Sequence, residues 1–158
     1  MIRVGLGRDI HRLIKGRRFV LGGVELASDR GELGHSDGDV LAHAVTDAVL
    51  GAAGLGDIGA LFPPSDSRWQ DADSMALLRT AFAMVKNSGW LAVNLDCVVC
   101  CETPKLLPYR DQIRGSLAQA LEIDPAAVFV KGKTGEGLDA VGEGRAVEAL
   151  AVCLLEKR

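Results

Sequence analysis

Aromatic side chains make up only 4% of this sequence, one Tyr, four Phe and two Trp in 158 residues. Any core must therefore be filled by small aliphatics. Hydrophobic residues still reach 48%, which at this length supports a compact globule with a real interior. An excess of positive charge is also lacking. Eighteen Lys and Arg against 21 Asp and Glu leave a formal charge of -3, which excludes a broad basic footprint for nucleic acid. No uninterrupted apolar run approaches the length of a membrane span, and Arg3 and Arg8 interrupt the N-terminus where a secretory signal would need an apolar block. The expectation is one cytoplasmic domain over residues 1–158, with neither a membrane nor a nucleic-acid partner.

Cysteine is sparse as well, at positions 97, 100, 101 and 153. Cys97 and Cys100 have the separation of a metal-binding pair, but no second pair follows. In the apolar run from Leu91 to Cys101 an odd separation turns them to opposite faces of a strand. Reduced, buried thiols are expected. Two nucleotide motifs are matched in letters only. Gly54, Gly56 and Gly59 spell G-x-G-x-x-G, yet the stretch leaves a helix and leads to Pro63 and Pro64, whereas a dinucleotide fingerprint follows a strand and opens a helix. Gly132-Lys133-Thr134 looks like the end of a P-loop, but Ala127 stands where that motif needs its first glycine. What remains is a glycine-rich turn whose backbone donors, lysine and hydroxyl can cradle phosphate.

Histidine is scarce too, and the three present fall in two motifs rich in carboxylates. Gly34-His35-Ser36-Asp37-Gly38-Asp39 has turn chemistry, and Val40, Leu41, Ala44, Val45, Ala48 and Val49 then recur at helical spacing, so a helix begins near residue 38. On it Asp39, His43 and Asp47 are four apart, which sets the imidazole between two carboxylates in one stripe, an acceptor for its second nitrogen on either side. Asp9 and His11 lie two apart on an N-terminal strand and project together. Asp9, His11 and His43 would make a zinc site of three protein ligands, the kind that leaves a fourth position open for chemistry. Singly, an Asp-x-His pair is commonplace, and His35 and His43 have plainer readings as an exposed turn residue and a hydrogen-bonded helix residue. Lys105, in the rigid corner Pro104 to Pro108, is equally a surface charge or an anion contact.

In chain order, 2–13 and 19–26 read as strands forming a hairpin, 27–37 as a polar connection, and 38–54 as the helix. A shaped loop covers 55–66, a second helix starts at Asp73 or Ser74 and ends near Asn87, and Val93 to Cys101 forms a central strand. A helix from Pro108 to about Leu121, a strand over 127–133 and a final helix from about Gly142 to Leu155 complete the pattern. This order predicts an α+β fold, a single mixed sheet of about four strands with helices on one face in a ferredoxin-like layout. Exposed apolar strand surface favours a closed, symmetric assembly.

Asp9-x-His11, His35-Ser36-Asp37-Gly38-Asp39, His43, Thr46-Asp47-Ala48, Leu55-Gly56-Asp57-Ile58-Gly59, Leu61-Phe62-Pro63, Pro104-Lys105-Leu106-Leu107-Pro108, and Thr134 with Glu136 strongly resemble the 2-C-methyl-D-erythritol 2,4-cyclodiphosphate synthase family, in the right order over essentially the whole chain. The resemblance implies a homotrimer with active sites between subunits. It also implies that a cytidine diphosphate substrate, 4-diphosphocytidyl-2-C-methyl-D-erythritol 2-phosphate, closes to the cyclic diphosphate with release of CMP, a phosphorus-oxygen lyase reaction of the non-mevalonate isoprenoid pathway. By the family pattern Asp9, His11 and His43 hold zinc, and Glu136 helps hold magnesium or manganese. His35 and Thr134 stabilise the transition state. Ser36, Asp57, Ile58, Gly59, Phe62, Ser65 and Asp66 match positions at the methylerythritol part. Cys101, Thr103, Pro104, Lys105, Leu106, Leu107, Lys133 and Glu136 match the cytidine diphosphate pocket. The chain departs from the family where Lys133-Thr134-Gly135-Glu136 keeps one threonine of the usual Thr-Thr-Thr-Glu, where Pro64 replaces a common aspartate, and where the segment after Leu138 is two residues short and lacks the family arginine, with Arg145 the nearest substitute.

Overall fold

A computed structural model describes residues 1–158 of the protein. Five strands, β1 (Ile2–Lys15), β4 (Arg30–Glu32), β5 (Trp90–Cys100), β6 (Val128–Lys133) and β7 (Ala146–Lys157), form one mixed sheet in the order β4-β1-β7-β5-β6. Only β5 and β6 run parallel. A separate two-stranded ribbon pairs β2 (Phe19–Leu21) with β3 (Val24–Leu26) through Gly22 and Gly23. Both glycines have positive φ, 56° and 77°, as a tight two-residue hairpin requires. The helices α1 (Val40–Ala53), α3 (Ser74–Asn87) and α4 (Arg110–Leu121) cover one face of the sheet, and the short helices α2 (Ile58–Leu61) and α5 (Asp139–Gly142) lie in the connections.

Three expectations need correction. The C-terminal segment is the central strand β7, not a helix. Val147, Ala149, Ala151, Cys153 and Leu155 alternate onto the buried face, but Leu150, Val152 and Leu154 make the other face apolar too. Without polar alternation the helical spacing fitted equally well, and pairing with β1 and β5 decided the matter. Residues 19–26 do not pair with β1, whose partners are β7 and, at its C-terminal end, β4, which lies within the presumed polar connection. The sheet accordingly has five strands rather than about four, and β5, which starts at Trp90, is second from the edge.

The small residues of the core have a definite purpose. Cross-strand rows on the buried face read Gly5-Cys153-Leu95-Val128 and Gly7-Ala151-Cys97-Val130. Helix α1 lies against the glycine end of these rows. A Cβ on Gly5 would sit 1.9 Å from the Ala48 carbonyl oxygen, and one on Gly7 1.8 Å from that of Ala44. Glycine here lets a helix backbone touch a strand. Eleven of the 14 residues of α1 are buried, so apolar burial at about 25 cal/mol per Å² holds it down. The Arg3 guanidinium donates to the Ala52 and Ala53 carbonyls at its C-terminus, where a cation is favoured. Cys97 and Cys153 are buried thiols as expected, whereas Cys100 and Cys101 are only half-buried.

Two fully buried carboxylates stitch the β2–β3 ribbon to the start of α1. Asp39 caps the helix by accepting from Ala42 N at 2.9 Å, and also accepts from Gly22 N at 2.9 Å and Gly23 N at 2.7 Å. Glu32 accepts from Val20 N and Val40 N, each at 3.1 Å. Burial raises both carboxyls against these donors, Asp39 to about 6, and Asp39's charge raises Glu32 further. Each therefore binds its proton more tightly folded than unfolded. The stability they contribute is complete below the unfolded carboxylate range and is lost as pH rises through the folded values. Glu32→Gln is expected to flatten the decline of melting temperature between pH 5 and pH 8, at a pH-independent cost of about 1–2 kcal/mol for the one N–H it orphans. Parallel curves for the two proteins would contradict this.

Opposite the helices the sheet is uncovered. Ile2, Val4 and Leu6 are 67%, 67% and 66% exposed, with Val152 on β7 beside Leu6 also exposed. An apolar face of this kind marks an interaction surface.

Candidate functional site

The contact between α1 and β1 fixes the first half of the site. Asp9 and His11 continue the buried-face row of Gly5 and Gly7 along β1, and His43 precedes Ala44, the residue whose carbonyl meets Gly7. The glycines bring the helix close enough for the three side chains to converge. Asp9 Oδ2 lies 3.0 Å from His11 Nε2 and 3.1 Å from His43 Nδ1, and the three candidate ligand atoms all fall within 4.8 Å of one another. His11 Nδ1 faces the Gly38 carbonyl at 2.6 Å. A carbonyl only accepts, so that nitrogen carries the proton and the Nε2 lone pair is turned towards Asp9. A lone pair thus meets a carboxylate oxygen with no hydrogen between them unless a cation or a proton fills the place. Burial opposes both charges, but when protons fill that place the pairing with His11 and His43 outweighs it and holds Asp9 far below the usual carboxylate range, while Asp9 raises His11. Two imidazoles and one carboxylate match a zinc site with an open position.

The helical stripe does not supply the acceptors expected for His43. Asp39 turns to the ribbon and Asp47 accepts from Ile58 N at 2.7 Å. Helix α1 directs the three side chains to three different partners, so His43 Nε2 instead meets Ser74 Oγ at 2.8 Å and Ser36 Oγ at 3.0 Å. The 34–37 loop is tied down on two sides. Arg17 donates to the carbonyls of Glu32, Gly34 and Ser36, and Asp71 N donates to the His35 carbonyl at 2.8 Å.

Next to the triad a cleft of about 310 Å³ is walled by His11, His35, Ser36, His43, Ile58, Gly59, Phe62, Pro64, Trp69 and Leu77. Asp57, Ser65 and Asp66 do not line it. Asp57 caps α2 by accepting from Ala60 N, and Asp66 accepts from the Arg68 backbone and guanidinium. A second cleft of about 300 Å³ lies between the end of β5 and the end of β6, lined by Cys101, Pro104, Lys105, Leu106, Leu107, Lys133 and Thr134 among others. Thr103 and Glu136 stand outside its wall. Thr134 Oγ1 donates to Glu136 Oε1 at 3.2 Å, and Glu102 accepts from Gly135 N, securing the glycine turn. Gly54 ends α1 with φ 74°, so the first glycine triplet is a helix stop. The two clefts share no lining residue, and His35 and Thr134 belong to different ones. Arg145 pairs with Glu143 and lines neither.

Trp69, Leu77, Arg110 and Ser74 were not anticipated. Trp69 stacks edge-on to Phe62 at 5.0 Å, and Arg110 lines the second cleft while lying over Phe129. Trp69 had a signal, one of two tryptophans in an otherwise polar loop. Ser74 read simply as a helix start.

An α+β fold carrying a two-histidine, one-carboxylate triad that could hold a metal ion, with a second cleft bearing a glycine-rich, lysine-containing turn, defines a class of small α+β proteins with a candidate metal centre. The chain belongs to the YgbB family, whose model matches residues 2–156. It is 52% identical over 154 residues, 98% of this chain and 96% of the relative, to 2-C-methyl-D-erythritol 2,4-cyclodiphosphate synthase of Treponema denticola. A solved 2C-methyl-D-erythritol-2,4-cyclodiphosphate synthase in a CDP-bound form superposes with a TM-score of 0.90 at 42% identity, covering 98% of this chain and 100% of that one. The bifunctional IspDF of Campylobacter jejuni superposes with a TM-score of 0.96 at 38% identity. It is a longer protein, of which this chain, matched over 100% of its length, spans 43%.

Proposed function

We propose that the protein cyclises 4-diphosphocytidyl-2-C-methyl-D-erythritol 2-phosphate to 2-C-methyl-D-erythritol 2,4-cyclodiphosphate and releases CMP in the cytoplasm, within the non-mevalonate isoprenoid pathway. The observation that carries this reading is the triad geometry, Asp9 Oδ2 within 3.1 Å of one nitrogen on each of two imidazoles, beside a cleft of about 310 Å³ that His11 and His43 help to wall. An oxygen of the 2-phosphate attacks the β-phosphorus, and the bond from that phosphorus to the oxygen bridging to the α-phosphate breaks, so the electron pair leaves with CMP. Two anions approach each other within one molecule. The barrier is therefore one of charge and of folding the chain back, and no nucleophilic side chain is needed.

The chain's own groups meet both needs. Asp9, His11 and His43 would hold zinc and Glu136 would help hold magnesium or manganese, which when bound supply Lewis-acid neutralisation of the diphosphate. His35 and Thr134 donate to phosphoryl oxygens whose charge grows in the transition state, and Lys133 with the backbone N–H groups of the glycine turn adds positive potential. Phe62, Ile58, Gly59 and Ser36, which wall the first cleft, enclose the methylerythritol part. The corner formed by Cys101 and Pro104 to Leu107, with Lys105, takes the cytidine diphosphate.

His35 and Thr134 lie in separate clefts of one chain. We propose that a homotrimer completes each site, with the triad of one subunit facing the nucleotide cleft of its neighbour. The bare apolar face around Ile2, Val4 and Leu6 supplies a surface for that assembly. Phosphorus NMR of the product tests the chemistry. A cyclic diphosphate together with CMP is expected, whereas an open monophosphate would make the protein a hydrolase that places water where the 2-phosphate should attack. Sedimentation equilibrium tests the assembly, with three times the chain mass expected and a monomer active at the same dilution ruling it out.

A further inference from the structure

The second nitrogen of His43 sits in a buried network whose proton directions follow from donor and acceptor accounting. Asp37 lies at its far end. Its Oδ1 accepts from Asp39 N at 3.1 Å and from Ser74 Oγ at 2.5 Å, and its Oδ2 accepts from Ser74 N at 3.1 Å. A carboxylate offers no hydrogen, so the single hydroxyl proton of Ser74 points to Asp37. Ser74 is 0% exposed and Ser36 only 6% exposed, which leaves little room for solvent to reverse that direction. Ser74 Oγ therefore turns only lone pairs towards His43 Nε2, 2.8 Å away, and towards Ser36 Oγ, 3.0 Å away. Ser36 Oγ itself accepts from Gly38 N at 3.3 Å and lies 3.0 Å from both Ser74 Oγ and His43 Nε2, so with hydrogen on Nε2 its own proton goes to Ser74.

We infer that Asp37 and Ser74 are positioning residues that set the tautomer of His43, a carboxylate–hydroxyl–imidazole relay holding the proton on Nε2 so that the Nδ1 lone pair faces Asp9. The inference rests on reading Asp9, His11 and His43 as metal ligands and adds what prepares the third of them. A lone pair from Ser74 opposite Nε2 disfavours the tautomer with hydrogen on Nδ1, which would point that hydrogen at Asp9 Oδ2 and block the place a cation takes. His11 is prepared in the same sense by a different device, the Gly38 carbonyl. Both rings are thus oriented from outside the triad, and by one turn, since Gly38 and Asp37 are adjacent. Removing the Ser74 hydroxyl frees the Ser36 proton to point at Nε2, 3.0 Å away, and the blocking tautomer becomes the better-bonded one.

The test is zinc affinity, measured on the full chain by competition with a chelator of known strength. Ser74→Ala should weaken zinc binding by roughly 10- to 100-fold, the usual effect of losing an outer partner of a ligating histidine, while Ser74→Thr, which keeps a hydroxyl, should restore most of it. In zinc-loaded wild-type protein the Nε2 proton of His43 should exchange slowly with water by NMR, and in Ser74→Ala it should exchange faster. Affinity for Ser74→Ala within about threefold of wild type, or equal weakening in the alanine and threonine variants, overturns the relay. If Ser74→Ala does not fold, Asp37→Ala, which removes the acceptor of the Ser74 proton, carries the same expected weakening, and affinity within about threefold of wild type overturns the relay. Wild-type protein that binds no zinc overturns instead the metal reading on which the relay rests.

Discussion

His43→Ala is expected to leave purified protein without zinc after dialysis and to lower the rate of CMP release by roughly a thousandfold or more, at least about 4 kcal/mol of transition-state stabilisation. The size follows from the geometry. Asp9 and His11 are neighbours on one strand, and His43 is the only donor brought to them from another element. Two ligands two residues apart on one edge can bind an ion only from that edge, so its orientation towards the substrate is lost along with most of its affinity. The fold should survive. His43 occupies the edge of the core, and the backbone of α1 is held by Gly5, Gly7 and the caps on either end. Metal content by mass spectrometry and CMP release by chromatography decide the matter together. Ordinary turnover in a variant free of metal would remove zinc from the mechanism.

How much of this was legible beforehand can be traced residue by residue. Asp9 and His11 were readable because a strand's period of two is rigid, and their meeting with His43 required only that the first strand and the first long helix be packed together. The helix boundary near Ser74 was announced by its capping aspartate, Asp73, and the one near Val40 by the turn chemistry of Gly34 to Asp39. The C-terminal strand was not legible. Its alanines, leucines and glutamates suit a helix, and only the neighbours on both sides, β1 and β5, make an extended conformation the better solution. Asp39 and Asp47 misled for a related reason. Spacing places side chains on one helical stripe, but what each carboxylate reaches is set by packing, here a glycine ribbon at one end and the Ile58 amide at the other. Ser74 escaped notice because its part is played 31 residues from His43 in sequence, with no local motif to mark it.

Gly7→Ala should be among the most destabilising single methyl additions in the chain, together with Gly5→Ala and Gly31→Ala, which also drive a Cβ to about 2 Å from a backbone carbonyl oxygen. The new Cβ would lie 1.8 Å from the Ala44 carbonyl oxygen and 2.9 Å from Ala48 N, both backbone atoms of a buried helix, so no side-chain rotation can relieve the clash. Either α1 lifts from β1 by more than 1 Å, which opens voids under Ala44, Val45 and Ala48, or β1 leaves its register with β7. Overpacking against movable side chains costs about 1–3 kcal/mol, so against fixed backbone a loss beyond 3 kcal/mol is expected, a fall of roughly 10 °C in melting temperature for a chain of this size. The same displacement carries His43 away from Asp9, because it is the Gly7–Ala44 contact that sets their separation. Zinc affinity should therefore fall in any Gly7→Ala protein that does fold, though no ligand has been changed. A variant that melts near the wild-type temperature and binds zinc as tightly would show that the close helix–strand approach positions nothing.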